Sequence, residues 1–359
     1  MTNSKKENTT ATPPPAPAPP PGPWFFREIL GQERAISHLR TAWQQGRLSH
    51  AYLFLGPEGV GRASITRALA AALNCLEPRP DGDGCGACAS CRRLAAGTEP
   101  NFLEIGPIPP SLEIRIDQIR DLRRLTNYPP FGDGWRVALI KPAEAMNEAA
   151  ANAFLKTLEE PPERHLLVLT AQVEADLMPT IVSRCYKLAF APLPAALVAQ
   201  ELERRRGLAA PQARLLAALS GGSLGRALTL DPEAVLTQRH QVLEDLKTLS
   251  DGSAAAALDW AQRLAKSRAE LEHFLALAQL WYRDLLLCHF QAPAALLAHQ
   301  DLQAELKAAA AAAKPKTWFQ KFTALGAAQR HLQANLNPEL TLDILGLRLQ
   351  RRGQSHGSR

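Results

Sequence analysis

The sequence has no uninterrupted run of eighteen apolar residues, so no segment reads as a membrane-spanning helix. It also opens without an export leader: Met1-Thr-Asn-Ser-Lys-Lys-Glu7 precedes the first proline at Pro13. With neither signal in view, the cytoplasm is the expected compartment. No internal repeat is evident, which excludes solenoids and propellers. Charge of one sign is not in large excess: 41 basic against 35 acidic residues leave a net charge of +6. That balance permits contact with nucleic acid without requiring it.

Two further absences are more specific. Residues 51–55, Ala-Tyr-Leu-Phe-Leu, read as a short buried strand. They run into Gly56-Pro-Glu-Gly-Val-Gly61 and then an alanine-rich helix. Strand, glycine turn and helix N-terminus are the setting of a phosphate-binding loop, with Gly56 and Gly61 at the G-x-x-x-x-G spacing. A working loop continues with Lys for the β- and γ-phosphates and Ser or Thr for Mg²⁺. Here those positions hold Arg62 and Ala63, and Ser64 comes one residue late. A planar guanidinium does not replace a compact ammonium, and alanine offers no oxygen at all.

The second absence lies at residues 136–140, Arg-Val-Ala-Leu-Ile, which read as a buried parallel strand. In phosphate-loop ATPases the end of such a strand carries the acid of the Mg²⁺ shell, often followed by Glu for the attacking water. This strand ends in Lys141 and Pro142. A cation stands where metal should be held. Both defects together describe a nucleotide site that has lost its chemistry, so ATP is expected neither to bind productively nor to turn over on this chain.

What is present sets out the domains. Hydrophobic content of 46% and charged content of 21% are those of a globular protein, and 359 residues allow two or three domains. Residues 13–23 carry eight prolines in eleven positions. Residues 1–23 are therefore expected to form an extended, disordered tail. Strand and helix signals alternate over 24–190, an α/β pattern with a parallel sheet. Beyond 191 the strand signal stops. Residues 191–234 read as a small helical domain broken by Pro211 and Gly221-Gly222, 235–350 as an all-α domain, and 351–359 as a second disordered tail.

Four of the six cysteines fall in one window, Cys75, Cys85, Cys88 and Cys91, spaced C-x₉-C-x₂-C-x₂-C. Each C-x₂-C bends the backbone so that two sulfurs face one ion, and four thiolates close a tetrahedral zinc shell with no place for catalytic water. Asp81-Gly-Asp-Gly84 supplies the turn that returns Cys85 toward Cys75. The competing readings are two disulfides, which a reducing compartment disfavours, and redox-active thiols. Little basic and aromatic interleaving surrounds these cysteines, which argues against an autonomous nucleic-acid-binding zinc protein. Lys156, Glu159 and Glu160 share a helix with Leu155 and Leu158, and read as a solvated face with an i,i+4 Lys156–Glu160 pair.

Taken in order, several motifs carry a resemblance. They are Gly31-Gln-Glu33, the His50-Ala-Tyr-Leu-Phe-Leu-Gly-Pro-Glu-Gly-Val-Gly61 run, the inserted cysteine module, and Ile116-Asp-Gln-Ile-Arg120. Asn152-Ala-Phe-Leu-Lys-Thr-Leu-Glu-Glu-Pro-Pro162, Ser183-Arg-Cys185 and Gly222-Ser-Leu-Gly-Arg226 complete the set. Over roughly residues 24–350 the chain resembles the delta-prime family of bacterial DNA polymerase III clamp-loader subunits, within the AAA+ ATPase superfamily. The motor subunits of that complex share nearly all these motifs, and the broken phosphate loop and acid pair separate the two.

The resemblance implies a AAA+ domain with a zinc module at 75–91, a helical lid, and a helical collar that assembles with delta and gamma/tau subunits. It implies a non-hydrolysing stator of a machine that places a sliding clamp on primed DNA in the nucleoid-associated replisome. Arg184 matches the arginine that reaches the neighbouring subunit's ATP site. Thr170 matches the sensor-1 position and Arg226 the sensor-2 arginine. The competing reading is an ATP-hydrolysing gamma/tau-type motor subunit.

Overall fold

A computed structural model describes residues 24–350; the two expected tails, 1–23 and 351–359, lie outside the described residues. The chain forms two compact units. One comprises residues up to Pro57 together with Gly61–Phe190, and the other comprises Glu58–Val60 and the chain from Ala191 onward.

The first unit alternates helix and strand in the order expected. Its elements are α1 (Glu33–Gln44), β1 (Ala51–Leu55), α2 (Arg62–Asn74), α3 (Ala89–Ala95), β2 (Phe102–Ile105) and α4 (Ile116–Thr126). They continue with β3 (Arg136–Ile140), α5 (Glu148–Glu159), β4 (His165–Ala171), α6 (Pro179–Val182) and β5 (Tyr186–Ala189). The five strands form one parallel sheet in the order β2-β3-β4-β1-β5. Helical crossovers cover a parallel sheet on both faces. The three central strands β1, β3 and β4 are accordingly buried almost throughout, while edge strands β2 and β5 are partly open.

Alternation along β1 divides the core. Ala51 and Leu53 join Ile119, Leu122, Phe154, Leu158 and Leu167 in one cluster. Tyr52 and Phe54 point to the other face, where Phe54 packs on Phe190 with ring centroids 4.8 Å apart. Helix α2 is buried along nearly its whole length, which its alanines permit by letting it approach the sheet closely. In this sheet order β1 lies between β4 and β5, and a ligand crevice is expected at the carboxyl ends of the strands near β1.

Among the described residues every element after Phe190 is helical. These are α7 (Ala195–Arg206), α8 (Ala210–Leu219), α9 (Leu224–Thr229), α10 (Pro232–Asp251), α11 (Ala254–Leu264), α12 (Arg268–His289), α13 (Gln303–Ala311), α14 (Pro315–Gln333) and α15 (Pro338–Leu349). Five of them start on a side-chain cap: Ser223, Asp231, Ser253, Ser267 and Asn337 each accept a hydrogen bond from a backbone N–H of the first turn. Each such cap stabilises its helix by about 1 kcal/mol. Helix α12 runs through the middle of this unit, burying Phe274, Leu277, Ala278 and Tyr282. Among the described residues no helix is long and apolar enough to cross a membrane.

Candidate functional site

The glycine loop at the end of β1 has the expected shape. Gly56 adopts φ 148°, and a Cβ there would lie 2.4 Å from the Phe190 carbonyl oxygen, so no side chain fits. Gly61, at φ 106°, caps α2 and turns the chain into it. The tip of the loop, Glu58–Val60, groups with the helical unit. There the Gly59 carbonyl accepts a hydrogen bond of 3.2 Å from the Gly225 amide. Arg226 follows on α9; its amide bonds the capping Ser223 hydroxyl at 3.1 Å, and its side chain is exposed.

The residues where a nucleotide's charges would be met are engaged elsewhere. Arg62 is 7% exposed, and its guanidinium donates a short hydrogen bond to the carbonyl of Ala171 at the end of β4. The residue before, Thr170, is buried in β4 opposite Phe54 of β1. The cation at Arg62 therefore turns inward to the end of β4.

At the end of β3, Lys141 pairs with Glu104 of edge strand β2, and the other Glu104 oxygen accepts from Arg67 of α2 at 2.8 Å. Burial works against ionisation of Glu104. The Lys141 hydrogen bond and the charges of Arg67 and Lys141 outweigh it and hold the carboxyl below its ordinary value. A carboxylate already shared by two cations is not free to hold Mg²⁺. Glu104 was not foreseen; the signal was a lone acid in an otherwise apolar edge strand.

Arg184 follows α6 on a turn anchored by buried Ile181, Val182 and Cys185. Its guanidinium donates to the Thr180 carbonyl at 2.9 Å and to a Glu159 carboxylate oxygen at 2.8 Å. The expected Lys156–Glu160 pair does not form among the described residues. Helix α5 ends at Glu159, and Glu160 leaves it with φ −122° and ψ 68°, as a residue before proline tends to. The i,i+4 geometry is thereby lost, and Glu159 reaches across to Arg184 instead.

The four cysteines converge. Their sulfurs all lie within 4.8 Å of one another, with Cys75–Cys88 at 3.9 Å and Cys75–Cys91 at 3.7 Å. A tetrahedron with Zn–S bonds of ~2.3 Å has S–S edges of about 3.8 Å. Amides point at the sulfurs: Cys85 N–H to Cys75 Sγ at 3.2 Å, Cys88 N–H to Cys85 Sγ at 3.2 Å, and Cys91 N–H to Cys88 Sγ at 3.5 Å. These bonds stabilise thiolates. Burial opposes ionisation of Cys88, but the N–H groups of Cys91 and Leu76 and neighbouring thiols bring it down to about 6. Burial, reinforced by neighbouring thiols, pushes Cys75 and Cys91 up. A divalent cation at the centre relieves that crowding. The donor set fits structural zinc.

The loop between the cysteines also holds the segment at Phe26 and Arg27. Asp83, fully buried, accepts from the backbone amides of Phe26, Arg27 and Gly84 and from the Arg27 guanidinium at 2.9–3.2 Å. Sequence reasoning gave this aspartate only a role in the turn.

A parallel five-stranded sheet with a glycine loop between its first strand and the following helix defines a phosphate-loop α/β protein. The family model for "DNA polymerase III, delta subunit" matches residues 31–194. The DNA polymerase III subunit delta' of Pseudomonas aeruginosa is 41% identical over 224 residues, covering 61% of this chain and 68% of that protein. The tau subunit of Escherichia coli is 34% identical over 248 residues, 66% of this chain and 38% of the longer relative. Among solved structures, a DNA polymerase III gamma subunit-related protein from Thermotoga maritima is similar at 21% identity. The match covers 88% of this chain and 98% of that one with a TM-score of 0.35. The chain belongs to the clamp-loader subunit family of DNA polymerase III.

Proposed function

We propose that this chain is the delta-prime-type stator of a DNA polymerase III clamp loader, a subunit that neither binds ATP productively nor hydrolyses it. The observation that carries this reading is the Lys141–Glu104–Arg67 arrangement, which puts a paired cation at the strand end where Mg²⁺ would be held. The inward turn of Arg62 supports it. The subunit acts in the cytoplasm with the replisome, and its parts divide into a AAA+ domain with a zinc module, a helical lid over 191–234 and a collar over 235–350. The collar assembles with delta and gamma/tau subunits, and the assembled ring opens the sliding clamp and places it on primer-template DNA. Zinc bound by Cys75, Cys85, Cys88 and Cys91 supplies folding energy, not chemistry.

The scaffold of an ATPase is kept because it serves a neighbour. Arg184 stands on an exposed turn and projects as an arginine finger toward the ATP site of an adjacent motor subunit. There a guanidinium stabilises charge on the transferring phosphoryl group, an effect worth ~10³–10⁵ in rate where such fingers act. Thr170 and Arg226 keep sensor positions without a nucleotide to sense. The competing reading, a gamma/tau-type motor, draws on the 34% identity to tau.

The test is reconstitution of the full chain with its motor and delta subunits, clamp and primed DNA. Alone, the chain shows no ATP turnover above background. In the complex, Arg184→Ala leaves zinc content and assembly intact and lowers ATP turnover partially, because motor-to-motor interfaces keep their own arginines. Mg²⁺-dependent turnover by the isolated chain would favour the motor reading. Unchanged turnover by the Arg184→Ala complex would remove the trans role.

A further inference from the structure

The Glu159–Arg184 pair is not what helix physics asks for. Glu159 is the last residue of α5 and Glu160 follows it, so two carboxylates sit at the negative end of the helix dipole, where acids are disfavoured. Glu160 does not make the i,i+4 pair with Lys156 expected of it. Glu159 instead meets a guanidinium 25 residues further along the chain. The backbone on both sides is fixed: Phe154 and Leu158 seat α5 in the core, and Ile181 and Cys185 seat the turn that carries Arg184.

We infer that Glu159 is a positioning residue for Arg184, an inference that rests on the trans reading above. An anchored turn fixes the Cα of an arginine but leaves its long side chain several rotamers. Two acceptors remove that freedom here. The Thr180 carbonyl takes one N–H and the Glu159 carboxylate takes a second, on different terminal nitrogens. A guanidinium carries five N–H donors, so three remain to receive phosphoryl oxygens from a neighbour. Both side chains are open to solvent, 37% for Arg184 and 49% for Glu159. Water screens the pair, so the carboxylate aims the guanidinium without competing strongly for it once a triphosphate arrives. Setting the geometry before encounter is what makes an electrostatic contact effective in the transition state.

The test uses the reconstituted complex with ATP, clamp and primed DNA, comparing Glu159→Ala, Glu159→Gln, Arg184→Ala and the double substitution Glu159→Ala/Arg184→Ala. Zinc content and assembly serve as controls. Glu159→Ala is expected to lower kcat by at least half of the fold-loss that Arg184→Ala produces, with KM for ATP changed less than twofold. Glu159→Gln, which keeps an acceptor oxygen, retains most of the activity. In the Arg184→Ala background the Glu159 substitution has no further effect. The positioning role is overturned if Glu159→Ala turns over at the unmodified rate or faster while Arg184→Ala is impaired. An equal fold-loss in both backgrounds also overturns it. If Arg184→Ala itself is fully active, the trans reading fails first and this inference with it.

Discussion

Restoring an acid at the end of β3 should damage this protein before it helps any chemistry. Lys141→Asp replaces the ammonium beside Glu104 with a second carboxylate, leaving Arg67 to serve both. Arg67 is nearly buried at 7% exposure, whereas Glu104 and Lys141 are each about a third open, at 31% and 34%. At ~4 Å and an effective dielectric of ~20, each unit-charge interaction is worth about 4 kcal/mol before screening. Partial exposure to water reduces this considerably, so the net cost of trading attraction for repulsion is about 2 kcal/mol. That lowers the thermal midpoint of a unit of this size by roughly 4–8 °C. The pH dependence has a definite sign. Glu104 is held below its ordinary value of 4.5, so its pairing stabilises the native chain at neutral pH and is lost as pH falls through the lowered value. Two adjacent carboxylates raise one another's pKa, so the variant's deficit is largest near pH 7 and shrinks on acidification. Thermal or urea unfolding of both proteins at pH 7 and near pH 4 measures it. Equal stability at pH 7, or a deficit that widens in acid, would refute the reasoning.

Other outcomes follow from the same geometry. Arg62→Lys with Ala63→Thr should yield no Mg²⁺-dependent turnover, because Lys141 remains; single-turnover assays with labelled ATP check this. The purified chain should carry close to one zinc by atomic emission, and Cys88→Ser should release it with a large loss of stability, since structural zinc binding contributes about 10–16 kcal/mol apparent in small zinc domains. Asp83→Ala should cost about 3 kcal/mol in denaturant unfolding. It strips the acceptor from three backbone amides and the Arg27 guanidinium in a buried setting.

The elements whose identity depends on neighbours in sequence were readable. The strand, glycine turn and alanine-rich helix at 51–74 needed only spacing, and so did the cysteine window, because both motifs bring their parts together within a short stretch of chain. The pairings that decide the state of the site were not. Glu104 on β2 and Lys141 just past the end of β3 are brought together by parallel strands joined through a helical crossover, and no local pattern reports that register. Lys156, Glu159 and Glu160 do lie on an exposed face, but the Lys156–Glu160 pair extends helix periodicity one residue too far, and the Glu159–Arg184 contact has no local signal. Pro161 ended α5 sooner and left Glu160 out of line with Lys156. The inward turn of Arg62 was equally hidden, since a sequence shows which side chain replaces a lysine but not where it goes.

Phe25 and Phe26 are buried at 8% and 3% exposure, and the Phe25 ring lies close enough to Gly84 and Gly86 that a Cβ on either would touch it. These aromatics pack on the loop between the metal-candidate cysteines Cys75 and Cys85, with Asp83 as the clasp. With zinc held by the four cysteines as proposed, its loss would be felt first at Phe25 and Phe26, whose rings would be released into water. Metal starvation would then present as a quality-control problem: a sticky, protease-accessible stretch of chain around Phe25 and Phe26.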